Sequence, residues 1–160
     1  MADFTHLDEK GDAVMVDVGQ KKATQRQAVA RGYIKMGAEC YKAVRGGSTP
    51  KGDIFAAARI AGIMATKQTP SLIPLCHPIP IEKASVDFGF DDGANFVFAV
   101  CNVRTTGVTG VEMEALTGVG VALLTIYDMC KSIDKGMEIG GICLLEKTGG
   151  KSGAYHKEGD

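Results

Sequence analysis

A charged pair lies near the end of the longest apolar helical pattern in the sequence. Asp128 and Lys131 are three residues apart, so both project from one face of a helix and can form an ion pair. A carboxylate beside an ammonium group has a lowered pKa, and the two groups are oriented for proton transfer. An ordinary ion pair at a partly exposed helix end has the same spacing, so both interpretations stay open.

The same helical pattern begins with acidic residues. Glu114 and Asp128 share a stripe whose middle is less polar, and we expect the stripe to face the core; its other members are Thr117, Val121 and Leu124. Glu112 lies near the first end. Glu114 and Asp128 are fourteen residues apart, which is roughly 21 Å along a helix. A small ligand cannot reach both ends of one copy, so we predict active sites shared between subunits.

A histidine and a cysteine are held between prolines in the segment Pro74-Leu75-Cys76-His77-Pro78. The prolines fix the backbone, as acid–base or ligand-binding groups require. A histidine packed in a turn and bonded to backbone is the alternative. His6, His77 and His156 form no ligand pair at helical spacing, and the five scattered cysteines contain no C-x-x-C. We therefore expect free thiols, no metal site and no tightly bound cofactor.

The charge of the chain is unevenly distributed. The net charge of -1 argues against a nucleic-acid binder. Residues 21–59 nevertheless contain nine bases against Glu39 and Asp53, which is typical of solvated helix faces or of a polyphosphate-binding surface. Lys51 precedes a predicted helix, and Lys151 follows two glycines. The second segment is not a Walker A motif, because its first glycine position is Leu145; it is either a flexible phosphate loop or a disordered terminus.

Eight segments must position these groups. We predict a strand at 13–18, a strand or helix at 28–36, a short helix at 38–44, a helix at 53–67 capped by Asp53, an irregular proline-rich segment at 69–80, a hairpin of strands 85–90 and 95–103, a helix at 111–133 ending before Gly136, and a strand at 139–147. The order indicates a single α+β domain over residues 1–160, an antiparallel sheet with helices on one face, nearest to the ferredoxin-like sandwich.

Further expectations concern the termini and the hairpin. Residues 1–10 and 150–160 are predicted to be flexible, and the glycine of Asp91-Asp92-Gly93 is predicted to make the hairpin turn. The hairpin phenylalanines are predicted to lie in the core: Phe88, Phe90, Phe96 and Phe98. Acidic residues dominate the first twenty positions, which argues against a signal peptide, and we expect no membrane span and a cytoplasmic protein.

Nearly the whole chain, from Thr5 to Gly153, resembles the molybdenum-cofactor biosynthesis protein C family, the cyclic pyranopterin monophosphate synthases. The resemblance is carried by the segments Thr5–Leu7, Met15–Val18, Lys51–Asp53, Ala58–Ile63, Leu72–Pro78, Thr109–Thr117, Leu124–Lys131 and Gly149–Gly153. It implies a ferredoxin-like subunit, a homohexamer built as three dimers, and active sites at the dimer interfaces. It also implies a substrate, (8S)-3′,8-cyclo-7,8-dihydroguanosine 5′-triphosphate, which is converted to cyclic pyranopterin monophosphate and diphosphate.

The resemblance also implies roles for particular residues. Residues matching Asp128 and Lys131 act at the catalytic centre, where we also expect Lys51 and His77. Residues matching Leu75, Cys76, His77, Met113 and Glu114 bind substrate. The residue types fit this reaction, because ring opening and closure need acids and bases, to which Glu112 can contribute. Release of diphosphate needs cations on the triphosphate; the candidates are Lys51, Arg26, Lys147 and Lys151.

Partners and alternatives follow from the same residues. We expect a small-molecule substrate, with Mg²⁺ as a companion of its triphosphate, and neither nucleic acid nor membrane as a partner. A non-catalytic purine-nucleotide sensor is the first alternative, although it would not need the acid–base groups. A sheet-based RNA binder is weaker, because no basic run flanks the hairpin phenylalanines.

Overall fold

Five strands and three helices lie in the part of the chain that the computed structural model describes, residues 10–49, 51–151 and 153–158. In chain order they are β1 (Thr24–Lys35), α1 (Ala38–Arg45), α2 (Ile54–Leu72), β2 (Lys83–Asp91), β3 (Phe96–Gly107), α3 (Glu112–Cys130), β4 (Glu138–Thr148) and β5 (Tyr155–His156). Most of the N-terminal segment predicted to be flexible, including His6, lies outside the described ranges, as do residues 152, 159 and 160 of the C-terminal one.

The strands form one antiparallel sheet in the order β2-β3-β1-β4-β5. Without β5, the order is that of the β-α-β-β-α-β ferredoxin-like sandwich, with β1 and β3 in the middle. The predicted α+β class and the single layer of helices are therefore confirmed. The short strand β5 pairs with β4 at Glu146 and Lys147 and was not anticipated.

Side-chain alternation along the strands decides which face is covered. In β1, Ala28, Ala30 and Ile34 are fully buried beneath the helices, whereas Arg31 and Tyr33 point to the other face, as the two-residue period requires. The small residues on the covered face let α3 approach the sheet closely: a Cβ on Gly32 would lie 2.8–3.0 Å from side chains of β4 and α3.

Two glycines set the distance between α2 and α3. A Cβ on Gly62 would lie 2.9 Å from the carbonyl oxygen of Gly118, and a Cβ on Gly118 would lie 2.7 Å from the Cys101 sulfur. Both helices therefore pack backbone to backbone above the sheet, where any larger residue would overpack the core. This contact fixes the position of α3, on which the candidate site residues Glu112, Met113, Glu114 and Asp128 lie.

The helix α3 satisfies the length and composition criterion for a membrane span, contrary to the sequence expectation. The core helix of a soluble protein can satisfy the same criterion. The apolar side of α3 lies in the core, where Val119, Ala122, Leu123 and Ile126 are fully buried. Packing against the sheet and α2 therefore accounts for the hydropathy of this helix.

Several predicted boundaries differ from the structure. Segment 13–18 is irregular apart from an isolated bridge at Ala13, and 28–36 is part of a longer strand. The helix that begins after Asp53 continues through Pro70 to Leu72, so the irregular segment starts only at Ile73. The Thr69 hydroxyl donates to the Thr66 carbonyl at 3.1 Å, which replaces the N–H that Pro70 lacks.

The ends of α3 and of the hairpin also required correction. The helix α3 ends at Cys130, with Lys131 as its C-cap. It therefore stops three residues before the predicted end at 133, and Gly136 is not its cap. In the hairpin, Asn95 rather than Gly93 has positive φ, at 56°. An asparagine tolerates this left-handed conformation, so either residue type could have made the turn.

The hairpin phenylalanines are divided between the two faces of the sheet. Phe88 and Phe90 pack with Phe55 against the core, as predicted. Phe96 and Phe98 alternate with the buried Val97 and lie on the opposite face, so the core prediction is wrong for them. There they contact Tyr33, whose ring is stacked on Phe96 with centroids 4.3 Å apart.

Candidate active site

The predicted site residues occupy the two ends of α3. Nine of them adjoin the first turn of the helix: Leu75, Cys76, His77, Glu112, Met113, Glu114, Arg26, Lys147 and Lys151. The other three, Lys51, Asp128 and Lys131, meet at its last turn. Since α3 has 19 residues and rises ~1.5 Å per residue, the two groups lie roughly 20 Å apart within one chain.

A cavity of about 310 Å³ lies beside the first turn of α3. The segment after α2 supplies Leu75, Cys76 and His77, and the start of α3 supplies Met113 and Glu114. The remaining wall comes from the segment before β1 and from the Thr109-Gly110 loop. The residues that the sequence singled out at two distant places are thus brought to one pocket.

Glu114 is the buried carboxyl group of this cavity. Its side chain is only 2% exposed, and burial, together with the nearby charge of Glu112, raises its pKa to about 7. A carboxyl group with this pKa exists in both protonation states near neutral pH, so it can donate or accept a proton. Burial and the Glu114 carboxylate also raise the pKa of the neighbouring Cys76 thiol, which keeps that group neutral.

His77 is held by the backbone of the segment that precedes β1. Its Nε2 lies 2.9 Å from the carbonyl oxygen of Val16. Because a carbonyl oxygen only accepts hydrogen bonds, Nε2 must carry the hydrogen, and Nδ1 remains as the ring nitrogen that can exchange a proton.

A larger cavity of about 800 Å³ adjoins the first and shares Lys21, Thr109, Gly110 and Glu112 with it. Its basic lining residues are Lys21, Lys22, Arg26, Lys147 and Lys151. The predicted residues Arg26, Lys147 and Lys151 are therefore together. Lys21 and Lys22 were not singled out beforehand; the signal was their place at the start of the basic segment.

Glu112 lines both cavities, and Lys147 lines the larger one. The Lys147 Nζ is 3.1 Å from Glu112 Oε1, and both side chains are largely buried. This ion pair therefore lies between the lysine-lined larger cavity and the smaller cavity, which contains Glu114. The combined groove thus offers cations for an anionic group at one end and proton-exchanging groups at the other.

The guanidinium group of Arg26 is hydrogen-bonded to backbone carbonyls. Its Nε donates to the Gly107 carbonyl at 2.9 Å, and its Nη2 donates to the Val108 carbonyl at 3.2 Å. These carbonyls begin the loop that leads to Glu112 and Glu114. The arginine therefore connects β1 to the segment before α3.

The opposite end of α3 carries a group of exposed charges. Lys131 Nζ lies 2.6 Å from Asp128 Oδ1, and Lys51 Nζ donates to the Asp128 carbonyl at 3.0 Å while lying 3.7 Å from Oδ2. These two cations lower the pKa of Asp128, Lys131 having the larger effect, and the carboxylate raises the pKa of Lys131. Within one chain, Lys51 is thus near Asp128 and far from Lys147.

The chain turns sharply between Lys51 and the start of α2. Gly52 has φ of +81°, a left-handed conformation that turns the chain into the helix. Asp53 caps α2 by accepting a bond from the Ala56 N–H at 2.9 Å, as predicted. This carboxylate occupies the N-terminus of α2, two residues after Lys51.

The stripe from Glu114 to Asp128 faces outward, not toward the core as expected. Leu124 is 59% exposed, and the Asp128 side chain is 61% exposed. Only Glu114, at the edge of the stripe, is buried. The sheet instead buries the opposite side of α3, which is the more continuous apolar face.

The described cysteines are free thiols, of which Cys40, Cys101 and Cys130 are buried. Burial raises the pKa of Cys40 and of Cys101 to about 12, so both remain protonated. Among residues 10–49, 51–151 and 153–158, no group of three or more His, Cys, Asp or Glu side chains is arranged to hold a metal ion.

Comparison with known proteins adds an independent observation. The sequence profile of the MoaC family matches residues 15–150. A protein of Pelotomaculum thermopropionicum named cyclic pyranopterin monophosphate synthase is 54% identical over 160 residues, which are 100% of this chain and 94% of that protein. Proteins of the same name from Roseiflexus sp. (strain RS-1) and Heliobacterium modesticaldum are 56% and 54% identical, over 97% and 99% of this chain and 98% and 99% of theirs.

Proposed function

The chain belongs to the MoaC family, and we propose that it is a cyclic pyranopterin monophosphate synthase of molybdenum cofactor biosynthesis. Its reaction converts (8S)-3′,8-cyclo-7,8-dihydroguanosine 5′-triphosphate to cyclic pyranopterin monophosphate and diphosphate, which makes it a phosphorus–oxygen lyase. The full-length similarity to proteins of that name supports the activity.

The two joined cavities beside α3 are the observation that carries this proposal. The substrate has a base-derived end, which needs proton transfers, and a triphosphate end, which needs cations. The smaller cavity contains Glu114 and His77, and the larger one contains Lys21, Lys147 and Lys151. Carboxyl groups can accept hydrogen bonds from the guanidine-like edge of the base, while lysines can bind the phosphates.

The catalytic centre is shared between two copies of the chain. Asp128, Lys131 and Lys51 are charged and face solvent at the far end of α3, too distant to reach a ligand held beside Glu114 of the same chain. Packing two α3 helices antiparallel about a two-fold axis would bring the last turn of one to the first turn of the other. The outward-facing side of the helix layer has apolar residues suited to such contact: Ile60, Met64, Met113 and Leu124.

A homohexamer of three dimers needs a second kind of contact, because one two-fold interface alone produces only a dimer. The open face of the sheet offers a separate apolar surface, formed by Tyr33, Phe96 and Phe98. The chain thus has two distinct surfaces for two kinds of interface. On this basis we propose that the chain assembles as a homohexamer. We also propose that the protein is cytoplasmic.

The residue states suit general acid–base chemistry. Asp128 is a carboxylate and Lys131 an ammonium group at neutral pH, and their attraction lowers the pKa of the first and raises the pKa of the second. Glu114, with a pKa of about 7, can exchange protons in either direction. We assign Asp128 and Lys131 to proton transfer, and Lys51 to charge stabilisation at the same centre.

The site requires no resident metal ion in this proposal. The cations of the larger cavity can neutralise a triphosphate without one, and Mg²⁺ bound to the triphosphate would arrive with the substrate. Proton transfer and cyclic phosphate formation involve no net oxidation or reduction, so the reaction needs no redox cofactor.

The activity can be tested by incubating the purified protein with the cyclic dihydro-GTP substrate. Diphosphate release is followed with a coupled pyrophosphatase assay, and cyclic pyranopterin monophosphate is identified by mass spectrometry. We expect equal amounts of both products. Binding of the substrate without either product would instead support the purine-nucleotide sensor and overturn the proposal.

A matched pair of variants tests the site. Asp128→Asn should keep the fold and reduce turnover by at least about 100-fold, because it removes a group placed in the chemical step. Asp87→Asn makes the same substitution at an exposed position of β2, away from both groups, and should retain activity. Near-normal turnover by Asp128→Asn would refute the catalytic assignment.

A further inference from the structure

Arg26 contacts the two segments that frame the larger cavity. Its Nε and Nη2 donate to the carbonyls of Gly107 and Val108, at 2.9 and 3.2 Å. The second segment is the turn after β4, where Gly149 and Gly150 both have positive φ. A Cβ on Gly150 would collide with the Arg26 guanidinium, so the glycine backbone lies directly against this side chain.

The lysines of the cavity are arranged differently. Lys21, Lys22 and Lys151 line the same space, and the Lys147 ammonium approaches it from β4 beside Glu112. Lysine is a compact charge on a flexible stem, whereas arginine presents a rigid fork of donors. The Arg26 guanidinium group donates to two consecutive backbone carbonyls. The lysines of the same cavity are the cations that can bind an anionic group.

The loop held by Arg26 leads directly into the acid–base end of the groove. Residues 107–110 connect β3 to α3, and Thr109 and Gly110 line both cavities. The N-cap of α3, Val111, has no side-chain cap bond. The Arg26 bonds are therefore a main support for the position from which Glu112 and Glu114 extend.

We propose that Arg26 is a positioning residue for the cyclase reaction, which fastens the 107–110 loop and the Gly149-Gly150 turn, and that the lysines supply the charge for the triphosphate. This role rests on the proposed function. A positioning role depends on the shape of the guanidinium fork, so lysine cannot replace it. A charge role depends on the positive charge, so lysine largely can.

The test compares Arg26→Lys with Arg26→Gln. Losing hydrogen bonds to a charged donor should lower kcat by roughly 10- to 100-fold, and we expect similar losses in both variants, with the KM of Arg26→Lys within about threefold of the wild-type KM. Gly150→Ala keeps every charge but displaces the guanidinium, so it should lower kcat in the same way. Arg31→Lys, on the same strand but outside both cavities, is the matched control.

Hydrogen exchange of the amides in residues 107–110 is a readout independent of turnover. It should accelerate in Arg26→Lys and Gly150→Ala and stay unchanged in Arg31→Lys. Near-normal kcat in Arg26→Lys, a loss confined to KM, or unchanged exchange would each overturn the positioning role. If the wild-type protein released no diphosphate, the proposed function would fail, while the exchange measurement would still decide whether Arg26 holds the loop.

Discussion

Complementation between two inactive variants tests whether the two ends of α3 serve one site. Glu114→Gln alters the first turn of the helix, and Asp128→Asn alters the last turn. Both substitutions nearly preserve side-chain volume, so both chains should fold and assemble. In an oligomer of either variant alone, every shared site lacks one of the two groups, and we expect little activity.

The size of the restored activity follows from the two-fold geometry. In a dimer of one Glu114→Gln chain and one Asp128→Asn chain, one site has both substitutions and the other site has neither. Random pairing of equal amounts makes half of the dimers mixed, so about one quarter of all sites are intact. We therefore expect about one quarter of the wild-type kcat per subunit, with a wild-type KM.

The assay uses co-expressed chains with two different affinity tags, and native mass spectrometry measures the fraction of mixed oligomers. Diphosphate release should rise in proportion to that fraction. A mixture of Glu114→Gln with Glu112→Gln is the matched control, because both substitutions lie at the same end of the helix. Every site of that mixture still has one altered group, so its activity should not recover.

The shared-site reasoning would be refuted by proven mixed oligomers that stay inactive. It would also be refuted if the same-end mixture recovered as much activity as the opposite-end mixture. The first outcome would mean that the roughly 20 Å between the two ends of α3 is bridged within one chain, and not by a partner. The second would mean that recovery does not depend on combining opposite ends of the helix.

Two further predictions concern burial. Because burial raises the pKa of Glu114 from 4.5 to about 7, the folded state binds this proton more tightly than the unfolded chain. Its contribution to stability therefore falls as pH rises from about 4.5 to about 7, by on the order of 3 kcal/mol. Urea unfolding of Glu114→Gln at pH 5 and pH 8, at fixed subunit concentration, should show this part of the pH dependence removed; an unchanged dependence would contradict it. Gly118→Ala should lower the free energy of unfolding by about 1–3 kcal/mol through overpacking, because its Cβ would lie 2.7 Å from the Cys101 sulfur. Gly120→Ala is the control: its Cβ would meet nothing closer than 3.9 Å, and equal losses in both variants would refute the packing argument.

The sequence predicted the elements whose pattern is local. Asp53 was identified as an N-cap because a carboxylate before an apolar run is a local signal, and the structure shows its bond to Ala56. The end of α3 was placed too late, because Gly136 is a strong stop signal but the chain had already left the helix at Lys131. The short strand β5 was missed because a two-residue strand has no period of its own.

The two faces of the central strands were harder to predict. Phe96 and Phe98 are as apolar as core residues, but Val97 between them faces the helices. The residues that share a face with Val97 are small, including Ala99, and only the close approach of α3 explains why small residues occupy the core side. The stripe ending in Asp128 was expected to face inward because its middle is less polar, but the opposite side of α3 has the more continuous apolar face and is the buried one.

Nine of the twenty residues that line the two cavities were predicted as site residues. The proline-rich segment and the start of α3 were each singled out, and the sheet topology brings them together. Arg26 was expected to bind phosphate, and its bonds to the Gly107 and Val108 carbonyls depend on the register between β1 and β3. That register is a long-range property, which sequence spacing does not encode.

The state of Asp128 and Lys131 in a single chain explains why assembly matters for the proposed chemistry. Their mutual attraction lowers the pKa of the carboxyl group and raises the pKa of the ammonium group, which makes the first a weaker base and the second a weaker acid near neutral pH. Both side chains are more than half exposed, so solvent screens their effect on a ligand. Cover by a partner's Glu114 end would remove water from both groups, which changes both pKa values: desolvation of each charge opposes the present shifts, and the stronger attraction within the pair reinforces them. The contact that completes the site would thus also adjust the acid and the base that it contains.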